Sequence, residues 1–118
     1  MLVADDDPDL LRLVAFSLEQ EYEIVSARDG EEALQKAADR PPDLAVLDLK
    51  MPKVDGLTVM EEMRRREATR ATPVFLLSAD TQDAKINRCL KRGVNQYIKK
   101  PFSPEDLLSR VRAQFRGS

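Results

Sequence analysis

Residues 44–56 read LAVLDLKMPKVDG, and the prediction of the fold starts from them. An apolar run, Leu44 to Leu47, is followed directly by Asp48 and then by a segment containing Pro, Asp and Gly. A continuous apolar run bounded by turn residues is typical of a strand buried on both faces, as in a parallel sheet. The stretch therefore predicts a buried strand with a carboxylate at its end.

Apolar runs and amphipathic segments alternate on both sides of this stretch. The other predicted strands are Leu2–Ala4, Tyr22–Ala27, Val74–Leu77 and Val94–Ile98. The predicted helices are Asp9–Glu19, Gly30–Asp39, Leu57–Arg66, Gln82–Lys91 and Pro104–Phe115. Five strands alternating with five helices predict an α/β fold, a doubly wound five-stranded parallel sheet in a single domain over residues 1–118.

The composition limits the chemistry that this domain can perform. The 118 residues include no histidine, so the commonest general base is absent, and the single Cys89 excludes an intramolecular disulfide. We interpret Cys89 as a packing residue. The sequence has no segment typical of a signal peptide or membrane span, so we expect a cytoplasmic protein that does not contact a membrane.

The charges are distributed unevenly along the chain. Residues 1–61 contain 15 acids and 6 bases, whereas residues 82–118 contain 9 bases and 3 acids. This asymmetry predicts an acidic and a basic part of the surface, with different roles.

Polar residues follow four of the five predicted strands. Asp5 and Asp6 follow the first strand, Asp48 and Ser78 end the third and fourth, and Lys100 follows the fifth. The carboxyl ends of parallel strands meet at one edge of the sheet, where such folds place their active crevice. Three converging carboxylates favour a hard divalent cation, and Mg²⁺ prefers carboxylate, carbonyl and water oxygens. The sequence therefore predicts a magnesium site beside a carboxylate nucleophile.

Four stretches resemble the receiver domain of two-component response regulators. They are VADDD (3–7), LAVLDLKMPKVDG (44–56), PVFLLSA (73–79) and YIKKPF (97–102). Their order and the intervals between the site residues also resemble those of the family, and the resemblance covers essentially the whole chain. It implies the flavodoxin-like (β/α)5 receiver fold.

The resemblance also implies roles for individual residues. Asp48 would accept a phosphoryl group from a histidine kinase or phosphotransfer protein, and Ser78 and Lys100 would contact the phosphoryl oxygens. Mg²⁺ would bind the side chains of Asp6 and Asp48 and the backbone carbonyl of Lys50. Asp5 would act through a metal-bound water.

Ser78 and Tyr97 would form the family's switch, which acts on the face made by the fourth helix, the fifth strand and the fifth helix. Six basic residues are available to this face: Lys85, Arg88, Lys91, Arg92, Arg110 and Arg112. They favour an acidic partner, an effector domain or a self-dimer, and we expect no direct contact with nucleic acid. Asn95 and Gln96 stand where regulators with a winged-helix domain usually carry acids, which argues against their charge-paired dimer.

Smaller features also give expectations. Asp7 is interpreted as a helix N-cap and Gly56 as a residue required by backbone geometry. Pro101 permits the cis peptide bond that the family uses to orient its lysine. We also hypothesise that Lys50 and Asp80 form an ion pair over the phosphoryl group. The sequence is compatible with a stand-alone regulator or a piece of a longer one.

The sequence supports three other protein classes less well than a receiver domain. A phosphohydrolase of the haloacid dehalogenase type would require a second Asp two residues after Asp48, where this chain has Lys50. A pseudo-receiver would be expected to lack some of the five core residues, and all are present. A nucleotide-binding doubly wound domain would need a glycine-rich loop after the first strand, but the four glycines lie at 30, 56, 93 and 117.

Overall fold

The computed structural model describes residues 1–116 and contains one five-stranded parallel sheet with helices on both faces. The strands are β1 (Leu2–Ala4), β2 (Val25–Ala27), β3 (Ala45–Asp48), β4 (Val74–Ser78) and β5 (Gln96–Lys99). The helices are α1 (Pro8–Leu18), α2 (Gly30–Asp39), α3 (Gly56–Arg65), α4 (Asp83–Lys91) and α5 (Pro104–Arg116). The predicted doubly wound flavodoxin-like fold is confirmed. Residues 117 and 118 of the predicted domain lie outside the described range.

The strand order, β2-β1-β3-β4-β5, determines where the predicted site lies. The chain leaves β1 toward β2 on one side and then crosses back to β3 on the other. The winding direction therefore reverses between β1 and β3, and a crevice opens at their carboxyl ends. Asp5 follows the first of these strands and Asp48 ends the second.

Alternate residues of the central strands build two separate cores, one on each face of the sheet. One face packs against α2, α3 and α4, and the other against α1 and α5. The first core includes Leu2, Ala4, Ala45, Leu47, Leu76, Ala33, Val59 and Cys89. The second includes Val3, Val46, Phe75, Leu77, Leu11, Val14, Leu107 and Val111. Burial on both faces explains why the central strands are continuous apolar runs.

Two strand predictions differ from the structure at their starts. The second strand is β2, Val25–Ala27, rather than Tyr22–Ala27, because its pairing begins where Leu2 of β1 lies opposite Val25. Tyr22 instead belongs to the turn after α1, where its N–H donates to the Leu18 carbonyl at 2.9 Å. The fifth strand, predicted as Val94–Ile98, is shifted to Gln96–Lys99. The other elements lie within one residue of their predicted bounds.

Aspartates are the N-caps of three of the helices. Asp7 accepts hydrogen bonds from the N–H groups of Asp9 and Leu10, which confirms it as the N-cap of α1. Asp29 and Asp55 cap α2 and α3 in the same way. Within residues 1–116, no helix combines the length and the apolarity that crossing a membrane requires.

Candidate functional site

The structure brings together three carboxylates at the crevice between β1 and β3. Each of Asp5, Asp6 and Asp48 offers an oxygen, and these three oxygens lie within 4.8 Å of one another. Asp5 and Asp48 are 1% and 5% exposed, whereas Asp6 is exposed. The backbone folds locally around Asp5, whose Oδ1 accepts the Asp7 N–H at 3.0 Å. The acids therefore form a cluster with one side open to solvent.

Lys100 provides the positive charge inside this cluster. Its Nζ donates to Asp5 Oδ2 at 3.2 Å and to Asp48 Oδ1 at 3.1 Å. The backbone N–H of Lys100 donates to the Ser78 carbonyl at 2.8 Å, which extends the pairing of β4 with β5 to the site. The bond between Lys100 and Pro101 is cis, as the resemblance described under Sequence analysis implies.

The pKa values of these groups follow from burial and from the excess of negative charge. The pKa of Asp48 is raised from 3.8 to about 6, chiefly by burial and also by the charges of Asp5 and Asp6, while Lys100 acts in the opposite direction. For Lys100, burial lowers the pKa, but the hydrogen bond and charge of Asp48 and the charge of Asp5 outweigh it, so the pKa is raised. One ammonium thus only partly compensates three carboxylates, and the cluster favours an additional cation.

Residues 49–55 form the β3–α3 loop, which contains the exposed Lys50 and ends where α3 begins at Gly56. The Gly56 N–H donates to the Leu49 carbonyl at 2.9 Å, which closes the loop. A Cβ atom at Gly56 would lie 2.3 Å from the Asp48 carbonyl oxygen. Only glycine fits at that distance, in agreement with the predicted geometric role.

Asp80 joins Ser78 to Tyr97. The buried Ser78 hydroxyl accepts the Asp80 N–H at 3.0 Å, and the Tyr97 hydroxyl donates to the Asp80 carbonyl at 2.9 Å. The Asp80 carboxylate pairs with Lys85 of α4 at 3.1 Å. This structure therefore gives Asp80 a different partner from the predicted Lys50. The hydrogen bond from the Gln82 N–H and the contact with Lys85 lower the pKa of Asp80, and the charge of Lys50 lowers it further.

This junction is not predicted from the sequence, because Lys85 lies five residues beyond Asp80 and nothing in the pattern pairs the two. An Asp shortly before a helix is a common capping signal, and the Gln82 N–H does donate to Asp80 Oδ1 at 3.0 Å. That signal places the Asp80 carboxylate near the start of α4 and so within reach of Lys85.

Most of the predicted basic face is already neutralised within the domain. Four of its six residues form ion pairs: Lys85 with Asp80, Arg92 with Glu61, Arg110 with Asp106, and Arg112 with Glu21. The last pair attaches α5 to Glu21 in the turn after α1, so Arg112 is already engaged with that turn. The surface available to an acidic partner is therefore smaller than the sequence predicts.

Asn95 and Gln96 are also engaged within the domain. Asn95 Oδ1 accepts the Val74 N–H at 2.8 Å and an N–H of Arg64 at 3.2 Å. Gln96 Oε1 accepts an N–H of Arg110 at 2.9 Å. Cys89 is 1% exposed and belongs to the core, consistent with its interpretation as a packing residue.

Known proteins resemble this chain in sequence. The family model described as "Response regulator receiver domain" matches residues 1–112. The alkaline phosphatase synthesis transcriptional regulatory protein PhoP of Bacillus subtilis is 38% identical over 119 residues, which covers 100% of this chain and 49% of PhoP. The chain therefore spans about half the length of this relative.

Solved structures resemble it in fold. The receiver domain of the Francisella response regulator 1452 has a TM-score of 0.90 at 33% sequence identity. The match covers 98% of this chain and 94% of the Francisella chain. The receiver domain of the sensor histidine kinase PA1611 of Pseudomonas aeruginosa, solved with a magnesium ion in its active site cleft, has a TM-score of 0.86 at 28% identity. The match covers 99% of this chain and 96% of the PA1611 chain.

Proposed function

The chain belongs to the response regulator receiver domain family of two-component systems, and we propose that Asp48 is its phosphoacceptor. The observation that carries the proposal is the convergence of Asp5, Asp6, Asp48 and Lys100 at the crevice. A carboxylate oxygen of Asp48 attacks the phosphorus of a donor, which is a histidine kinase or phosphotransfer protein. A new O–P bond forms, the P–N bond to the donor imidazole breaks, and its electron pair leaves with the imidazole.

The neighbouring residues supply charge and hydrogen bonds to the transferred group. Lys100 turns its ammonium from Asp48 to one phosphoryl oxygen, and the Ser78 hydroxyl donates to another. Hydrolysis later removes the signal, when a water oxygen bonds to phosphorus and the Asp48 carboxylate leaves. These self-phosphorylation and self-dephosphorylation reactions are the only catalysis that we assign to the domain.

The oxygen donors of this cluster fit Mg²⁺. Three carboxylates lie within 4.8 Å of one another, and Asp48 has a raised pKa that an added cation would lower. Asp6 and Asp48 would hold the ion through their side chains and Lys50 through its backbone carbonyl, with Asp5 acting through a bound water. When bound, Mg²⁺ neutralises charge on the incoming phosphoryl group.

The partners and the output follow from the same reasoning. Phosphorylation shifts a two-state equilibrium of α4, β5 and α5 through Ser78, Asp80 and Tyr97. An effector domain or a self-dimer reads this face, and nucleic acid is contacted through that effector rather than by the receiver itself. A cytoplasmic location stays a prediction of the sequence. The phosphohydrolase alternative has no support from the matching family, and Lys50 occupies the position of its general acid.

Labelling by a small phosphodonor tests the phosphoacceptor. With acetyl phosphate and Mg²⁺, the wild type should form a base-labile acyl phosphate, detected as a mass shift and lost on treatment with hydroxylamine. Asp48→Asn should abolish labelling. Asp55→Asn is the matched control, because Asn also caps a helix and α3 should stay intact. Labelling that resists base and hydroxylamine, or labelling that persists in Asp48→Asn, would contradict the proposal.

A further inference from the structure

The start of α2 is in direct backbone contact with the β3–α3 loop. Gly30, the first residue of α2, is buried, and a Cβ atom there would lie 1.8 Å from the Val54 carbonyl oxygen and 2.7 Å from the Val54 Cβ. Neither distance leaves room for a methyl group. Since the nearest atom is a backbone oxygen, a side-chain rotation could not relieve the overlap. A glycine at position 30 therefore determines how closely α2 approaches the loop.

The loop is held in a restrained shape at this contact. The Val54 N–H donates to the Pro52 carbonyl at 2.8 Å, and Lys53 between them has a φ of 70°, in the left-handed region that a lysine rarely adopts. Lys53 Nζ lies 3.8 Å from Asp29 Oδ2, on the residue that caps α2. A strained residue persists only where its surroundings fix it, and α2 provides part of those surroundings.

The same loop contains Lys50 and is attached to the phosphoacceptor strand. Its far end closes at Gly56, whose Cα lies so near the Asp48 carbonyl that a Cβ would be 2.3 Å from that oxygen. The loop is thus in contact with β3 through Gly56 and with α2 through Val54. A displacement at Val54 would be passed to Lys50 through four intervening peptide bonds and one restrained turn.

We propose that Gly30 is a positioning residue for the magnesium site. It acts through the β3–α3 loop by allowing α2 to support the segment from which Lys50 presents its carbonyl. This inference rests on the proposed function, because it takes Lys50 as a metal ligand. Residues that orient metal ligands without touching the ion typically change metal affinity by about 10–100-fold when they are replaced.

Gly30→Ala tests the proposal, with Ala37→Gly as the matched control. Ala37 is buried in the same helix, so its replacement destabilises α2 without adding an atom at the loop. Mg²⁺ affinity is measured by calorimetry and by amide chemical shifts at a temperature where both variants are folded. We expect the dissociation constant to rise about tenfold in Gly30→Ala and to stay at the wild-type value in Ala37→Gly. Equal affinities in Gly30→Ala and the wild type would overturn the proposal, whatever the loss of stability.

Kinetics separate positioning from a structural role. The Mg²⁺ concentration for half-maximal phosphorylation by acetyl phosphate should rise with the dissociation constant, while the rate at saturating Mg²⁺ stays near that of the wild type. A variant that lost rate at saturation with an unchanged Mg²⁺ requirement would contradict the inference. If the wild type itself bound no Mg²⁺, the proposed function would fail first, so the two failures are distinguishable.

A measurement on the wild type covers the case in which Gly30→Ala does not fold. Mg²⁺ binding should slow hydrogen exchange of the amides of Gly30 and Val54, because ordering the loop also orders its contact with α2. Unchanged exchange of both amides at saturating Mg²⁺ would overturn the proposal.

Discussion

Asp48→Asn should stabilise the protein when no divalent cation is present. The substitution keeps the shape of the side chain and an oxygen that can accept from Lys100, but it removes one of three neighbouring negative charges. Burial and the charges of Asp5 and Asp6 disfavour the ionised form of Asp48 in the folded protein. In the unfolded chain the same carboxyl is hydrated and ionises at its ordinary pKa.

The size and the pH range of this effect follow from the raised pKa. Below about pH 4 the carboxyl is protonated in both the folded and the unfolded chain, and above about pH 6 it is ionised in both. Between these values the folded state binds more protons, so the stability of the wild type falls as the pH rises. A pKa of about 6 instead of 3.8 corresponds to at most about 3 kcal/mol. Because solvent reaches the open side of the cluster, we expect about 1–2 kcal/mol.

Urea unfolding of both proteins in a chelator, at several pH values from 4 to 8, measures the difference. The advantage of Asp48→Asn should be near zero at pH 4, reach its full size by pH 7 and shrink when Mg²⁺ is added to the wild type. Asp55→Asn should match the wild type at pH 7, because its capping oxygen is retained. Equal stabilities of Asp48→Asn and the wild type at pH 7, or an advantage independent of pH, would refute the electrostatic reasoning.

Three further predictions concern the surroundings of the site. Arg64→Ala removes four hydrogen bonds to oxygens at the amino ends of β4 and β5, and we expect a loss of about 2 kcal/mol in urea unfolding. Ser78→Ala should still accept phosphate. Hydrogen exchange of the Asp80 amide should become faster, because this amide loses the Ser78 hydroxyl as its acceptor. Beryllofluoride should no longer change the amide chemical shifts of residues 82–115. Lys85→Ala should change the dephosphorylation rate about threefold by releasing Asp80, and more than Lys50→Ala does. Unchanged rates in both lysine variants would exclude Asp80 pairing from control of the phosphoryl lifetime.

The fold and the convergence of the site residues could be predicted because both depend on simple periodic properties. A buried parallel strand must be apolar throughout, so LAVL and VFLL are visible in the sequence as strands. In a doubly wound sheet, residues that follow such strands meet at one edge, whatever lies between them. Asp5, Asp48, Ser78 and Lys100 could therefore be grouped without any knowledge of their distances.

Contacts between side chains of neighbouring elements could not be predicted in the same way. Asp80 pairs with Lys85 rather than with Lys50 because of where α4 begins relative to β4. A difference of a single helical turn in that starting point would change the partner. The contact of Gly30 with Val54 depends on the separation of α2 from the loop, and no pattern in the sequence encodes that separation. The start of β2 depends on where its partner strand begins, rather than on its own apolar residues.

The hydrogen bonds of Arg64 have a consequence for sequence divergence. Its guanidinium and the Val74 N–H share one acceptor, Asn95 Oδ1, so the start of β4 is fixed by a side chain from the start of β5. An Asp at position 95 could accept both donors and add a charge opposite Arg64, whereas an apolar residue would leave a strand N–H without its partner. Positions 64 and 95 are therefore expected to covary among relatives of this chain. An arginine at the first should accompany an amide or carboxylate at the second, and the two should be lost together.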